Sequence, residues 1–148
     1  MNTNTPIPNE ARQVMHECSQ GSLDGSLTFP EVLARLATIG CEDYSVDLRR
    51  REKTYYLSTD VCHTEALPLP LKAPGREFAA ADIVADLRAV QRGEMNYPTF
   101  LERITEAGCV GYIVYVTGRR ARYLGRNGES YVEVMPSDGN RRGEPARS

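Results

Sequence analysis

Apolar residues at Phe29, Val32, Leu33, Leu36 and Ile39 follow the spacing of one helix face. After Gly40-Cys41 the period changes. Tyr44, Val46 and Leu48 alternate with Ser45, Asp47 and Arg49, as a half-buried strand requires. The same switch recurs 68 residues on. Phe100, Leu101 and Ile104 precede Gly108-Cys109, and residues 112–116 (YIVYV) are apolar on both faces, which predicts a more central strand. Both helices carry a start signal: Thr28 with Glu31 three residues later forms a capping box, and Asn96 is a cap without the glutamate. Pro30 and Pro98 fall in the first turn, where a missing N–H costs nothing, and Gly40 and Gly108 supply the left-handed stop. At the 68-residue offset Gly25/Gly93, Pro30/Pro98, Leu33/Leu101, Arg35/Arg103, Gly40/Gly108, Cys41/Cys109, Tyr44/Tyr112, Val46/Val114, Arg51/Arg119 and Tyr55/Tyr123 are identical. Chance gives roughly two matches in such a window, so the pattern reads as a duplicated unit.

The remaining elements extend that unit. Asn9 is positioned to cap a helix over residues 10–19 with Val14, Met15 and Cys18 on its apolar face, before Gly21 and Gly25 break it. A second such helix is predicted over residues 78–90 from Ile83, Leu87 and Val90. Each strand ends in a basic turn and returns through residues 54–57 or 121–125. Third strands are predicted over 61–66 and 131–135, the latter after Asn127-Gly128, a type I′ hairpin signal. Residues 67–74 (LPLPLKAP) read as an extended linker. The expected organisation is a disordered N-terminus (1–8), a first repeat (9–66), a Pro-rich linker (67–77), a second repeat (78–136) and a disordered tail (137–148). The fold class is α+β: a helix-helix-hairpin-strand unit, internally duplicated and packed as a pseudo-dimer around an antiparallel sheet, with helices on one face.

Composition narrows the function little. The 148 residues carry a net charge of −2, so bulk electrostatics do not make the chain a polyanion binder, and a nucleic-acid role needs a local basic patch. No apolar run marks a secretory signal or a membrane span, which sets the expected location as the cytoplasm. Cys18, Cys41, Cys62 and Cys109 form no Cys-x-x-Cys pair and are expected as free, buried, reduced thiols.

Four segments carry a family resemblance: Thr28-Phe29-Pro30-Glu31, Arg50-Arg51-Glu52-Lys53-Thr54-Tyr55-Tyr56, Tyr97-Pro98-x-Phe100 and Thr117-Gly118-Arg119-Arg120-Ala121-x-Tyr123. In order and spacing they resemble the YdfO-like, or YbcV-like, family of small bacterial proteins, across roughly residues 10–136. Many of its members are encoded in prophages, some under the label "phage envelope protein". The resemblance implies an α+β fold and a mobile-element background. It implies no reaction and no catalytic residue.

The candidate chemistry falls into two groups. Arg49, Arg50, Arg51 and Lys53 share one turn with Asp47 and Glu52, while Arg119, Arg120, Arg122 and Arg126 lie on the other with no acid. Arginine forks suit phosphate or carboxylate recognition, and Tyr55, Tyr56, Tyr115 and Tyr123 are near in sequence for stacking. Charged tips also keep ordinary hairpins in solution, and that reading leads. Cys41, Tyr44, Cys109 and Tyr112 occupy equivalent places and are candidates to wall a pocket at the inter-repeat axis. Their spacing supports no metal site, and Cys62 and His63, as strand neighbours, point to opposite faces and form no catalytic pair. Glu65 and Glu133 align, either as a carboxylate pair across the axis or, the favoured reading, as outward positions bridged to the hairpin arginines. His16 is expected at the surface of the first helix.

No cofactor is implied. The leading expectation is a non-enzymatic interaction or regulatory protein that binds a protein partner. The alternatives are an anion or nucleic-acid binder using the arginine turns, and a small-molecule binder or enzyme at the inter-repeat axis.

Overall fold

A computed structural model describes residues 7–135, so the expectations for the two ends of the chain lie largely outside the described residues. The chain runs α1 (Asn9–Asp24), α2 (Phe29–Thr38), β1 (Cys41–Asp47), β2 (Glu52–Leu57), β3 (Cys62–Ala66), α3 (Ala80–Gln91), α4 (Tyr97–Glu106), β4 (Cys109–Tyr115), β5 (Arg120–Gly125) and β6 (Ser130–Val134). The class is α+β, with four helices and one six-stranded antiparallel sheet among the described residues.

The capping box is formed in full. Glu31 N donates to Thr28 Oγ1 at 3.3 Å, and Thr28 N donates to Glu31 Oε1 at 2.8 Å. Asn96 Oδ1 accepts from Thr99 N at 2.9 Å. The first helix differs from expectation at both ends. Pro8 holds the cap position and Asn9 is already helical, so Asn9 caps nothing. Nor does Gly21 break the helix. It lies inside the helix, where a Cβ would meet the Leu27 side chain at 2.6 Å, and Gly25, at φ 81°, ends the helix instead. Helix α3 starts two residues later than expected, since Ala79 N is still bonded to Ala107 O at 2.7 Å as the linker crosses the end of α4.

The strand order is β3-β2-β1-β4-β5-β6, two three-stranded meanders joined through β1 and β4. That junction is centred on the pair Ser45↔Ile113, with Asp43↔Tyr115 at one end and Asp47↔Gly111 at the other. Ser45 and Ile113 are themselves 68 residues apart. Positive φ angles follow the same spacing: Gly25/Gly93, Gly40/Gly108, Arg51/Arg119 and Asp60/Gly128. A register shift also recurs, between Cys41 and Asp43 and between Cys109 and Gly111. The Asn127-Gly128 turn is not type I′. Only Gly128 has positive φ (89°), whereas that turn needs it at both central residues.

Helices cover one face of the sheet. On that face Tyr44, Val46, Tyr55, Leu57, Tyr112, Val114 and Tyr123 pack against Met15, Leu36, Ile83, Leu101 and Ile104. Each fully buried Leu or Ile among them contributes about 1.5–3 kcal/mol. Residues 67–79 form no helix or strand and bend at Arg76 and Glu77, but the stretch is no loose tether. Leu67 N donates to Arg51 O at 2.8 Å, Gly75 N to Thr105 O at 3.0 Å, and the Arg126 guanidinium clamps the Pro74 and Gly75 carbonyls at 2.6 and 3.2 Å.

Candidate interaction surface

Alternation sends every second strand residue to the face away from the helices, and the register sorts these residues into rows. One row reads Cys62, Tyr56, Asp43, Tyr115, Arg120, Val134 across the six strands. The next reads Thr64, Thr54, Ser45, Ile113, Arg122, Val132, and the third Ala66, Glu52, Asp47, Gly111, Leu124, Ser130. Two of the three exposed large hydrophobic residues among those described, Tyr56 at 42% and Val134 at 64%, lie here; the third is Phe29 on α2. Ile113, Tyr115, Leu124 and Val132 are half-buried on the same face.

Asp43 stands at the middle of the first row, between Tyr56 and Tyr115. Burial raises its carboxyl above the ordinary aspartate range, and among the described residues its side chain has no hydrogen-bond or ion-pair partner. The other acids of the face are engaged. Asp47 Oδ1 accepts from Arg49 N and Arg50 N, each at 2.9 Å, and Glu52 Oε1 accepts from Arg50 Nε at 3.2 Å. In the opposite half, Arg120 Nε donates to Gly118 O at 3.3 Å and Arg122 Nη1 to Ser130 Oγ at 3.5 Å. Neither arginine has an acidic partner among the described residues. The face is therefore divided: an unpaired acid on one side of the β1–β4 seam and two arginines without acids on the other.

The sequence-based sites do not assemble as units. Because β1 and β4 are antiparallel, the turn of Arg49, Arg50 and Arg51 and the turn of Arg119 lie at opposite ends of the sheet, a strand length of about 23 Å apart. Arg51 and Arg119, which match at the 68-residue offset, both hold left-handed turn positions. Lys53 is not on a turn at all. It is 2% exposed on the helix-facing side, with Nζ 4.8 Å from the centre of the Tyr97 ring. Tyr55 and Tyr123 also face the core, so only Tyr56 and Tyr115 of the four expected stacking residues reach the open face. Residues 67–70 with Arg50 and Arg51 line a shallow depression of about 420 Å³ beside the first turn.

The pocket candidates divide likewise. Cys41 and Cys109 begin antiparallel neighbours and so sit at opposite ends of the sheet, while Tyr44 and Tyr112 are diagonal neighbours in the core. Each tyrosine packs on the next strand's, Tyr44 with Tyr55 at 5.2 Å and Tyr112 with Tyr123 at 5.0 Å between ring centres. Tyr112 OH bonds Tyr97 OH at 2.5 Å, and burial raises the phenols of Tyr44 and Tyr112 well above their ordinary value. These four residues do not wall one pocket. Burial also pushes the Cys41 thiol up to about 12 and that of Cys109 to about 11. Cys18, Cys41 and Cys109 are buried as expected, but Cys62 is exposed because its strand position faces away from the helices.

Glu65 and Glu133 correct another expectation. They lie on the two edge strands, face the helices, and bond to the first helix of their own half instead of to hairpin arginines. Glu65 holds His16 Nδ1 at 3.0 Å and His63 Nε2 at 2.7 Å. Glu133 accepts from Arg88 Nη1 at 2.6 Å, Gln91 Nε2 at 3.2 Å and Tyr131 OH at 2.6 Å. Burial raises both carboxyls, but these bonds outweigh it and hold them below the ordinary range. Among the described residues no cluster of His, Cys, Asp and Glu has the arrangement to hold a metal ion, and no helix is long and apolar enough to cross a membrane.

Asp43, Ser45 and Ile113 are the positions that sequence reasoning missed. The alternation that placed Tyr44 and Val46 inside also placed their neighbours outside, so the signal was present. No protein-family model matches the chain, and no curated protein is significantly similar to it.

Proposed function

We propose that the chain is a non-enzymatic binding protein that docks a protein partner on the uncovered face of its sheet, acting in the cytoplasm. One observation carries this reading: Asp43, half-buried between Tyr56 and Tyr115 with its carboxylate unpaired among the described residues, on a face that also exposes Tyr56 and Val134. A carboxylate partly withdrawn from water without a partner is costly, and a cationic group brought by a docked chain offsets that cost. Tyrosine and arginine, both present on this face, are also residue types that anchor interfaces.

Other features support a binding role. Thiolate chemistry is suppressed at Cys41 and Cys109 by burial, and exposed Cys62 has its neighbour His63 on the other side of the sheet. The resemblance to the YdfO-like family, with its prophage background, favours an interaction or regulatory factor of mobile-element origin. The paired positive φ angles and the symmetric β1–β4 register support reading the chain as a duplicated unit whose halves form one pseudo-dimer. Nucleic-acid binding is the weaker reading, because Asp43, Asp47 and Glu52 share the face and the two arginine turns lie at opposite ends of it.

Site-specific photo-crosslinking in the producing cells tests the proposal. A crosslinking residue replacing Thr54 or Arg122, both on the open face, is expected to yield discrete protein adducts. The same residue replacing Glu102, exposed on α4, is expected to yield none. Equal adducts from all three positions, or none from Thr54 and Arg122, would overturn it.

A further inference from the structure

We infer that the partner seated on the open face is a second copy of this chain, stacked so that the Asp43 half of each copy covers the arginine half of the other. This rests on the open face being a protein-docking surface and goes on to name the occupant. Asp43 lacks a cation and Arg120 and Arg122 lack an acid among the described residues, and they stand on opposite sides of the β1–β4 seam. A closed homodimer is isologous, so each contact occurs twice.

Two strand-aligned, face-to-face twofold arrangements exist. With the axis perpendicular to the strands, each strand covers its own copy, and Asp43 is set over Asp47 of the same acidic strand. With the axis parallel to the strands, β1 covers the partner's β4 and β2 covers the partner's β5. Rows then match rows. Asp43 meets the partner subunit's Tyr115, and Tyr56 meets the partner subunit's Arg120, one strand away from Asp43. Only this second arrangement brings the unpaired carboxylate to the arginines, and it stacks a guanidinium on an exposed tyrosine. Ser45 and Ile113 form the centre, where aligned sheets pack about 10 Å apart.

Size sets the strength. Six strands about 4.8 Å apart and five residues of about 3.3 Å give a face of about 29 by 16 Å. That is on the order of 500 Å² before side-chain relief, against about 800 Å² per partner for a standard interface. The dimer is therefore weak and in exchange, with a dissociation constant on the order of 10–100 µM.

Sedimentation equilibrium of the full chain from about 5 to 500 µM tests the assignment. The native chain is expected to pass reversibly from monomer to dimer across that range. Asp43→Arg alone, and the double variant Arg120→Asp with Arg122→Asp, are each expected to stay monomeric. An equimolar mixture of the two variants is expected to dimerise again, because reversed charges meet in one contact set and native charges in the other. Misfolded variants cannot give that rescue. A native chain that is monomeric at 500 µM, dimers indifferent to Asp43→Arg, or variants that the mixture fails to rescue would overturn the inference. The crosslinking experiment separates the two proposals. Open-face adducts containing a different protein sink only the second copy, whereas the absence of open-face adducts sinks the docking surface as well.

Discussion

Alanine at Gly108 costs far more than alanine at Gly40, although the two glycines occupy matched positions after a helix. Both have positive φ, 95° and 77°, and for an L-residue that backbone costs about 1–2 kcal/mol. At Gly40 little else is added, since the new Cβ would lie 3.1 Å from Ser58 Oγ, a side-chain atom able to rotate away. At Gly108 the Cβ would fall 2.0 Å from the Glu77 carbonyl oxygen and 3.0 Å from Phe78 Cα, both backbone. The linker must lift, straining the bonds Gly75 N→Thr105 O and Ala79 N→Ala107 O, worth about 1 kcal/mol each. The expected losses are about 1–2 kcal/mol for Gly40→Ala and about 3–4 kcal/mol for Gly108→Ala. Urea unfolding followed by circular dichroism reads both, with the midpoint shift converted through a common slope. Gly75→Ala offers an internal check, because its Cβ would meet Glu106 O at 2.4 Å and disturb the same crossing. The double variant Gly75→Ala/Gly108→Ala should lose less than the sum of the singles. Equal losses at Gly40 and Gly108 would refute the idea that the crossing linker, and not the turn alone, sets the requirement for glycine.

Three further outcomes are expected. Glu133→Gln should destabilise by about 1–2 kcal/mol at pH 7, the worth of charge-assisted bonds discounted for a half-exposed Arg88. Because the folded-state carboxyl is held below its unfolded value, that stability is present above about pH 4.3 and is lost as pH falls through the folded value. Parallel denaturation curves at pH 7 and pH 3 should therefore show the gap closing on acidification, and a constant gap would contradict the assignment. Lys53→Met should be neutral or stabilising within about 1 kcal/mol, since it removes a buried charge whose partner is the Tyr97 ring and keeps the volume; a loss above about 2 kcal/mol in the same unfolding assay would mean the cation–π contact outweighs desolvation. Alkylation followed by mass spectrometry should add one label per native chain, at exposed Cys62, and four after unfolding; rapid native labelling of Cys41 or Cys109 would contradict their burial.

Local grammar was legible in the sequence wherever the cause is local. The Thr28–Glu31 box, the stops at Gly40 and Gly108, and the change from helical to alternating period at each Gly-Cys pair all reappear in the fold. Long-range direction was not legible. Spacing alone does not show that β1 and β4 are antiparallel neighbours, and that single fact sends the two arginine turns, and Cys41 and Cys109, to opposite ends. Nor does a basic run reveal that Lys53 is its inward member, because the turn residues Arg49, Arg50 and Arg51 hide the phase of the strand that follows. The candidate surface was missed for a related reason. The matched positions Tyr44/Tyr112 and Val46/Val114 lie in the core and not on this face. The open face is where the halves differ: Asp43 aligns with Gly111, Glu52 with Arg120 and Thr54 with Arg122. That difference makes the face two-sided in charge.

Hydroxyl-radical footprinting with residue-level mass spectrometry tests docking of a second copy on the open face most directly. Among the described residues Tyr56, Val134 and Phe29 are the exposed large hydrophobic residues; the first two lie on the open face, and the third on α2 is the internal control. Raising the protein from about 2 to 500 µM, a range that spans the expected dissociation constant, should protect Tyr56 and Val134 while Phe29 reacts unchanged. Protection of Phe29 with Tyr56 and Val134 still fully reactive would place association on the helix side and contradict the account.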